Sequence, residues 1–130
     1  MFAVPHGIDI DHDGNIWVTD SGAGEAKGHQ GFDRDGKFLE EWKQFGRPSG
    51  VHIDRIDVIY VADSQSDETR NPGFTRGIWV GSAKDGSVTT FIPHPDLDPK
   101  SIAAEGVVVD SRDNIFAAGN NAPVVKHTKP

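Results

Sequence analysis

One short sequence pattern occurs three times in this chain, and it constrains the fold more than any other feature. The first copy reads PHGIDIDHDGNIWVTD and begins at Pro5, the second begins at Pro48, and the third begins at Glu105. The glycines that the copies share are Gly7, Gly50 and Gly106. They recur at intervals of 43 and 56 residues, near the roughly 40–50 residues of one propeller blade. Because one such unit cannot bury its own faces, the repeat predicts stacked blades.

Each copy carries the pattern of a β-hairpin. Ile8 and Ile10 alternate with acidic residues, as in a strand with one buried face. Asp-Gly pairs, which favour tight turns, lie between such segments and end at Gly14, Gly36 and Gly86. Helix signals are weak, and Lys37–Gln44 is interpreted as the outer strand of a blade.

The prediction is an all-β fold of about three antiparallel, four-stranded propeller blades. We expect a single partial β-propeller domain over residues 1–130, with blades at about 5–46, 47–95 and 101–130.

The composition narrows the classes of partner. The net charge of −7 makes nucleic acid a poor partner, since phosphate binding requires a basic surface, and it favours cations or basic ligands. The chain has no cysteine, which excludes disulfides and thiolate metal sites. No apolar run is long enough for a membrane span, and no signal-peptide pattern opens this chain. These features do not define the cellular compartment.

Pro-x-Gly followed by Asp-Gly-Asn-Ile-aromatic-Val, with a later Asp-Gly-Lys-Phe and Phe-Gly, resembles the NHL repeat. The resemblance covers nearly the whole chain and is strongest over residues 34–63. It implies antiparallel four-stranded blades of a six-bladed, TolB-like propeller, of which this chain would be a part. It is also compatible with a secreted or periplasmic location for full-length relatives.

The first copy, with Pro5-His6-Gly7, is similar to the first blade of peptidyl-α-hydroxyglycine α-amidating lyases. In that family, histidines that follow proline at the start of different blades hold zinc, and the matching residue here is His6. Neutral imidazole suits zinc, and three ligands leave one position open for substrate or water. The chain departs from the pattern, because Ser49 and Glu105 occupy the equivalent places. The alternative interpretation makes His6 a partly buried channel residue.

Glu105-Gly106 resembles gluconolactonase-like propellers, in which a glutamate at this place binds a divalent cation. Asn120 and Asn121 would add oxygen donors, which suit calcium. The resemblances therefore make His6 and Glu105 the candidate metal ligands, for zinc or calcium. The segment 9–20 also imitates a calcium-binding loop, but strands flank it, so we favour a hairpin turn with a solvated acidic face.

Trp17, Tyr60 and Phe116 occupy equivalent second-strand places and predict packing between neighbouring blades. Two functions fit this framework. The preferred one is a binding or interaction scaffold, related to a metal-dependent propeller enzyme, that holds a protein or small-molecule ligand at its loop face, including Ser64–Thr75. The alternative is a lyase-like or lactonase-like metalloenzyme. An open arc of three blades predicts a homodimer that completes a propeller, or a fragment of a longer chain.

Overall fold

The computed structural model describes residues 2–22, 28–96, 98, 103–120 and 122–128. Over these residues the chain forms eleven strands and no helix. The strands build three antiparallel sheets of four, four and three strands, in which neighbours in sequence are neighbours in space. The predicted all-β fold of antiparallel blades is confirmed.

The three sheets follow one another along the chain. Blade 1 contains β1 Pro5–Ile10, β2 Ile16–Asp20, β3 Gly28–Phe32 and β4 Phe38–Trp42. Blade 2 contains β5 Pro48–Ile53, β6 Val58–Asp63, β7 Gly77–Ser82 and β8 Val88–Pro93. Blade 3 contains β9 Gly106–Val109, β10 Ile115–Ala118 and β11 Val125–His127. The outer strand predicted within Lys37–Gln44 is β4.

Aspartate side chains hold the tight turns. In four hairpins one carboxylate oxygen accepts hydrogen bonds of 2.8 to 3.0 Å from the backbone N–H groups two and four residues later. The capping residues are Asp11, Asp33, Asp54 and Asp110. The residues three positions after the caps have positive φ angles, and they are Gly14, Gly36, Asp57 and Asp113. Local hydrogen bonding therefore sets the point at which each hairpin reverses.

Blades 1 and 2 pack through a core rich in aromatic rings. Trp17 stacks on Trp42 with ring centroids 4.0 Å apart. A Cβ at Gly31, opposite Trp17 on the next strand, would overlap the indole. Phe45 is fully buried, and its ring meets the edge of His29 at 5.2 Å. The other members of this cluster are Val51, Ile53, Ile59, Val61 and Ala83. Large rings thus fill this junction, and each buries a large apolar area.

Hydrogen bonds tie the turn end of the same junction. The Ile53 N–H donates to Asp9 Oδ2 at 2.7 Å, and the His12 N–H donates to Asp57 Oδ1 at 2.8 Å. Both bonds cross from one blade to the next. The aromatic core is therefore closed at this end by backbone-to-carboxylate contacts.

The inner strands β1, β5 and β9 lie side by side and approach closely at glycines. A Cβ at Gly7 would overlap the carbonyl oxygen of Ser49, and a Cβ at Gly50 would overlap that of Glu105. The Thr19 hydroxyl donates to the Ser49 carbonyl at 2.5 Å. The shared glycine of the repeat is thus the point at which one blade's backbone meets the next.

Blades 2 and 3 pack through smaller side chains. The buried members of this second cluster are Tyr60, Ile78, Ile115 and Ala117. Trp42 pairs with His29 across blade 1, and Ile92 pairs with Ile78 at the equivalent place of blade 2. An isoleucine therefore stands where the first junction has a tryptophan.

The predicted packing of equivalent aromatic residues holds at both junctions. Trp17 and Tyr60 are buried in the two clusters. Phe116 is half-buried, and Lys126 Nζ lies 5.7 Å from its ring centroid. Its neighbours Ile115 and Ala117 point toward blade 2, so by the alternation of a strand Phe116 points away from it.

Candidate functional site

The predicted metal ligands stand at equivalent places in the first and third blades. His6 lies on β1 with an exposed side chain, and Glu105 directly precedes β9 and is half-buried. Ser49, the equivalent residue of blade 2, is fully buried, and its Oγ lies 2.5 Å from Ser64 Oγ. Strand β5 contacts both β1 and β9, so blade 2 lies between His6 and Glu105.

In the part of the chain that the structure describes, no third donor joins His6 and Glu105. Among the described residues, no three histidine, aspartate or glutamate side chains are grouped so that they could hold an ion. One imidazole and one carboxylate fall short of the three protein ligands that a catalytic zinc site uses. Asn120 is exposed in a turn, and Asn121 lies outside the described residues.

The acidic segment 9–20 is a hairpin, as favoured from the sequence, and its carboxylates serve separate contacts. Asp11 accepts hydrogen bonds from the Asn15 side chain and from Trp17 Nε1, both at 2.9 Å. Burial alone would raise the pKa of Asp11, but these and neighbouring hydrogen bonds hold it below its usual value. Asp20 accepts from the Val4 N–H at 3.0 Å. The segment therefore uses its acids to fix the turn and the chain before β1.

Asp9 bridges the first junction. Besides the Ile53 N–H, its carboxylate faces His52, whose Nδ1 lies 3.3 Å from Oδ2. Burial would raise the pKa of Asp9, but the hydrogen bonds from His52 and Ile53 more than offset it, so this pKa lies below its usual value. Asp9 is thus a structural carboxylate.

His29 is a buried titratable residue within the aromatic core. Its side chain is fully buried, and among the described residues neither ring nitrogen has a hydrogen-bond partner. Burial lowers the pKa of His29 to about 3. The imidazole is therefore neutral over the physiological range and acts as a packing group.

A concave site lies between blades 2 and 3. It is a cavity of about 560 Å³ with apolar walls that include Val80, Ile92 and Ile115. Its polar lining residues are Asp54, Tyr60, Thr89, Thr90, Asp113, His127 and Thr128. A smaller hollow of about 210 Å³ shares Asp54, Ile56 and Asp113 with it and extends over the turns. We call this combined site the Asp54 groove.

Polar groups give the Asp54 groove its chemical character. Tyr60 Oη lies 3.5 Å from Asp54 Oδ2. Burial, together with the negative charges of Asp54 and Asp113, raises the pKa of Tyr60 to about 12. Tyr60 is therefore a neutral hydrogen-bond donor beside carboxylates. A ligand with an apolar body and a positively charged end would match this lining.

The groove exists because the outer strand of blade 2 carries a smaller residue than that of blade 1. Trp42 covers the Gly86 turn of the next blade, and the Gln44 side chain donates to the Gly86 carbonyl at 2.7 Å. Ile92 occupies the place of Trp42 at the second junction and lines the cavity. This groove was not predicted from the sequence. A comparison of Trp42 with Ile92 across the repeat would have indicated it.

The comparisons with known proteins bear on the first hairpin. The family model described as the NHL repeat matches residues 2–25, which include β1, β2 and His6. No curated protein matches the chain. The match supports the predicted NHL resemblance there, and together with the blades it supports a β-propeller scaffold module. In the part of the chain that the structure describes, no helix has the length and apolarity needed to cross a membrane.

Proposed function

We propose that this chain is an NHL-type propeller module that binds its ligand in the Asp54 groove. The ligand has an apolar body and a positive group, such as a small organic cation or a lysine or arginine beside an apolar residue of a partner protein. The observation that carries the proposal is the open groove at the second junction, with Asp54 and Asp113 beside apolar walls. The overall negative charge adds attraction for a cation.

Two probes of equal shape test this proposal. Benzylammonium and benzyl alcohol are titrated separately while backbone amide signals are followed by NMR. We expect benzylammonium to shift the signals of Val80, Thr90 and Ile115, and benzyl alcohol to bind more weakly, because only the cation complements the carboxylates. Equal binding of the two probes, or shifts elsewhere only, would contradict the proposal.

Two variants locate the site. Asp54→Asn should weaken benzylammonium binding roughly fivefold, whereas Asp35→Asn, an equal charge change at an exposed turn of blade 1, should leave it unchanged. Ile92→Trp should remove binding of both probes, because it places at the second junction the residue that fills the first. Circular dichroism and thermal melts establish that each variant is folded.

The alternative function is a metal-dependent enzyme that resembles the amidating lyases or the lactonases. It is supported by the position of His6 within the matched segment 2–25. Since His6 and Glu105 are the two ligands predicted for one chain and a catalytic zinc site uses three, such an enzyme would require further blades of a six-bladed, TolB-like propeller. Metal analysis and calorimetric titration with zinc and with calcium test it. Stoichiometric metal that is lost in His6→Ala and in Glu105→Gln would favour the enzyme over the module.

A further inference from the structure

The four core positions of the repeat differ in burial between the blades. In blade 2 these residues pack against blade 1, and they are Val51, Ile53, Ile59 and Val61. In blade 3 they pack against blade 2, and they are Val107, Val109, Ile115 and Ala117. In blade 1 they form a surface that we call the leading face, and they are Ile8, Ile10, Ile16 and Val18.

The leading face is apolar and open. Ile8 is 67% exposed and Ile10 is 58% exposed, although residues at both places are covered in the other blades. Ile8 pairs with Val18 and Ile10 pairs with Ile16, so the four side chains lie on one side of the sheet. This surface has the composition of a blade interface.

The opposite end of the arc carries the complementary surface. Phe116 stands at the place of Trp17 and Tyr60, the rings that blades 1 and 2 present to the blade that follows each of them. Val108, which pairs with Phe116 on the neighbouring strand, is 51% exposed. We call the surface of Val108, Phe116 and Lys126 the trailing face.

Gly106 gives an independent indication that a blade belongs there. A Cβ at Gly7 or Gly50 would overlap the backbone of the next inner strand, whereas a Cβ at Gly106 would meet, among the described residues, only the Ala118 carbonyl oxygen, at 3.9 Å. The glycine that permits close approach is therefore present on blade 3, with space beside it. Gly7 faces Ser49, and Gly50 faces Glu105. If another copy of blade 1 followed blade 3, Gly106 would in the same way face His6 of that copy.

We propose that the trailing face of one copy of this chain packs on the leading face of a second copy, and that two copies close a ring. The aromatic and aliphatic residues on the two faces stand at the repeat positions whose counterparts form the two internal junctions. Closed propellers have roughly four to eight blades. The described residues of one chain form three sheets, so two copies fall within that range and three copies exceed it. The contact joins two different surfaces, so the ring has two identical head-to-tail interfaces.

The first experiment measures the mass of the chain by light scattering after size exclusion, over a range of concentrations. We expect twice the monomer mass of 14.1 kDa. A monomer at every concentration, or an open series of larger oligomers, would overturn the proposal.

Matched variants identify the surface. Ile8→Glu should raise the dimer dissociation constant by roughly 100-fold, because it places a charge at the centre of an apolar contact. Ile56→Glu is the control, since Ile56 is 68% exposed, as open as Ile8, but lies in the turn of blade 2 outside both faces. Equal effects of the two variants would contradict the proposal. Amide NMR spectra establish that both are folded.

A mixing experiment distinguishes this head-to-tail contact from a symmetric one. Ile8→Glu disables the leading face, and Phe116→Glu disables the trailing face. Each variant alone should be monomeric, but an equimolar mixture should form a heterodimer through its one intact pair of faces. A mixture that stays monomeric while both variants are folded would overturn the proposed geometry.

Discussion

The two internal junctions use the same backbone repeat but differ in how completely they are filled. At the first, Trp17, Trp42 and Phe45 occupy the space between the blades, and Asp9 and Asp57 close the turn end. At the second, aliphatic residues leave the Asp54 groove open. The blade framework thus fixes the spacing of the sheets, and the size of individual side chains decides whether a junction becomes solid core or a binding cavity.

The largest expected effect concerns the filled junction. Trp17→Ala should lower the free energy of unfolding by roughly 3–5 kcal/mol, because it removes a stacked, buried ring. It also leaves Asp11 without the indole N–H. Urea denaturation measures the change, and Val108→Ala on an exposed surface is the control. To hold dimerisation constant, both proteins are measured in the Ile8→Glu background. A loss below about 1 kcal/mol would show that this junction is less well packed than described.

The next effect concerns acid stability and His29. Because the folded-state pKa of about 3 lies below the ordinary value of 6.5, the unfolded chain binds the proton more readily. The stability contribution is therefore complete above pH 6.5 and is lost as the pH falls toward 3.

His29→Ile, which introduces the residue that blade 2 has at this place as Ile78, should remove that acid sensitivity. Between pH 6.5 and pH 3 the free energies of unfolding of the wild type and the variant should diverge by up to roughly 1.4 kcal/mol per pH unit. Chemical denaturation at several pH values measures the difference. Parallel curves would mean that the imidazole is not held neutral by the first junction.

A smaller effect tests the open junction. Ile92→Trp should raise the free energy of unfolding by about 0.5–2 kcal/mol, as cavity-filling substitutions do. The physical reason is burial of apolar area beside Val80 and Ile115. Thermal and urea denaturation measure it, with the exposed Val88→Trp as the control. Destabilisation would mean that the cavity cannot accept an indole without shifting the neighbouring sheet.

The smallest effect concerns the hydrogen bonds to carboxylates at the turn end of the first junction. Asp9→Asn should lower the free energy of unfolding by about 0.5–1 kcal/mol, since the charged acceptor of the Ile53 N–H is replaced by a neutral amide. In the wild type, the lowered pKa of Asp9 makes its contribution complete above its ordinary pKa and lost in more acidic solution. Denaturation near neutral pH and near pH 3 should therefore show a smaller difference at the acidic pH. A constant difference would contradict this origin.

The sequence was sufficient to predict the hairpins and their grouping into blades, because the Asp caps and alternating strands act over a few residues. Asp54 and Val58, for example, belong to one turn. It was not sufficient to predict the Asp54 groove, because the groove exists where Ile92 is smaller than Trp42, its counterpart in blade 1. The metal hypothesis stays a prediction, since His6 and Glu105 come from blades that a third blade separates.

The sheet order has a consequence for how the chain folds. Within each blade every strand pairs with its neighbour in sequence, and the four Asp-capped turns each close a short loop. Local contacts form quickly because little chain entropy is lost in closing them. We therefore expect hairpins to appear in any blade first and the junctions to form later, so that stopped-flow kinetics would show Asp54→Ala slowing folding and Trp17→Ala mainly speeding unfolding.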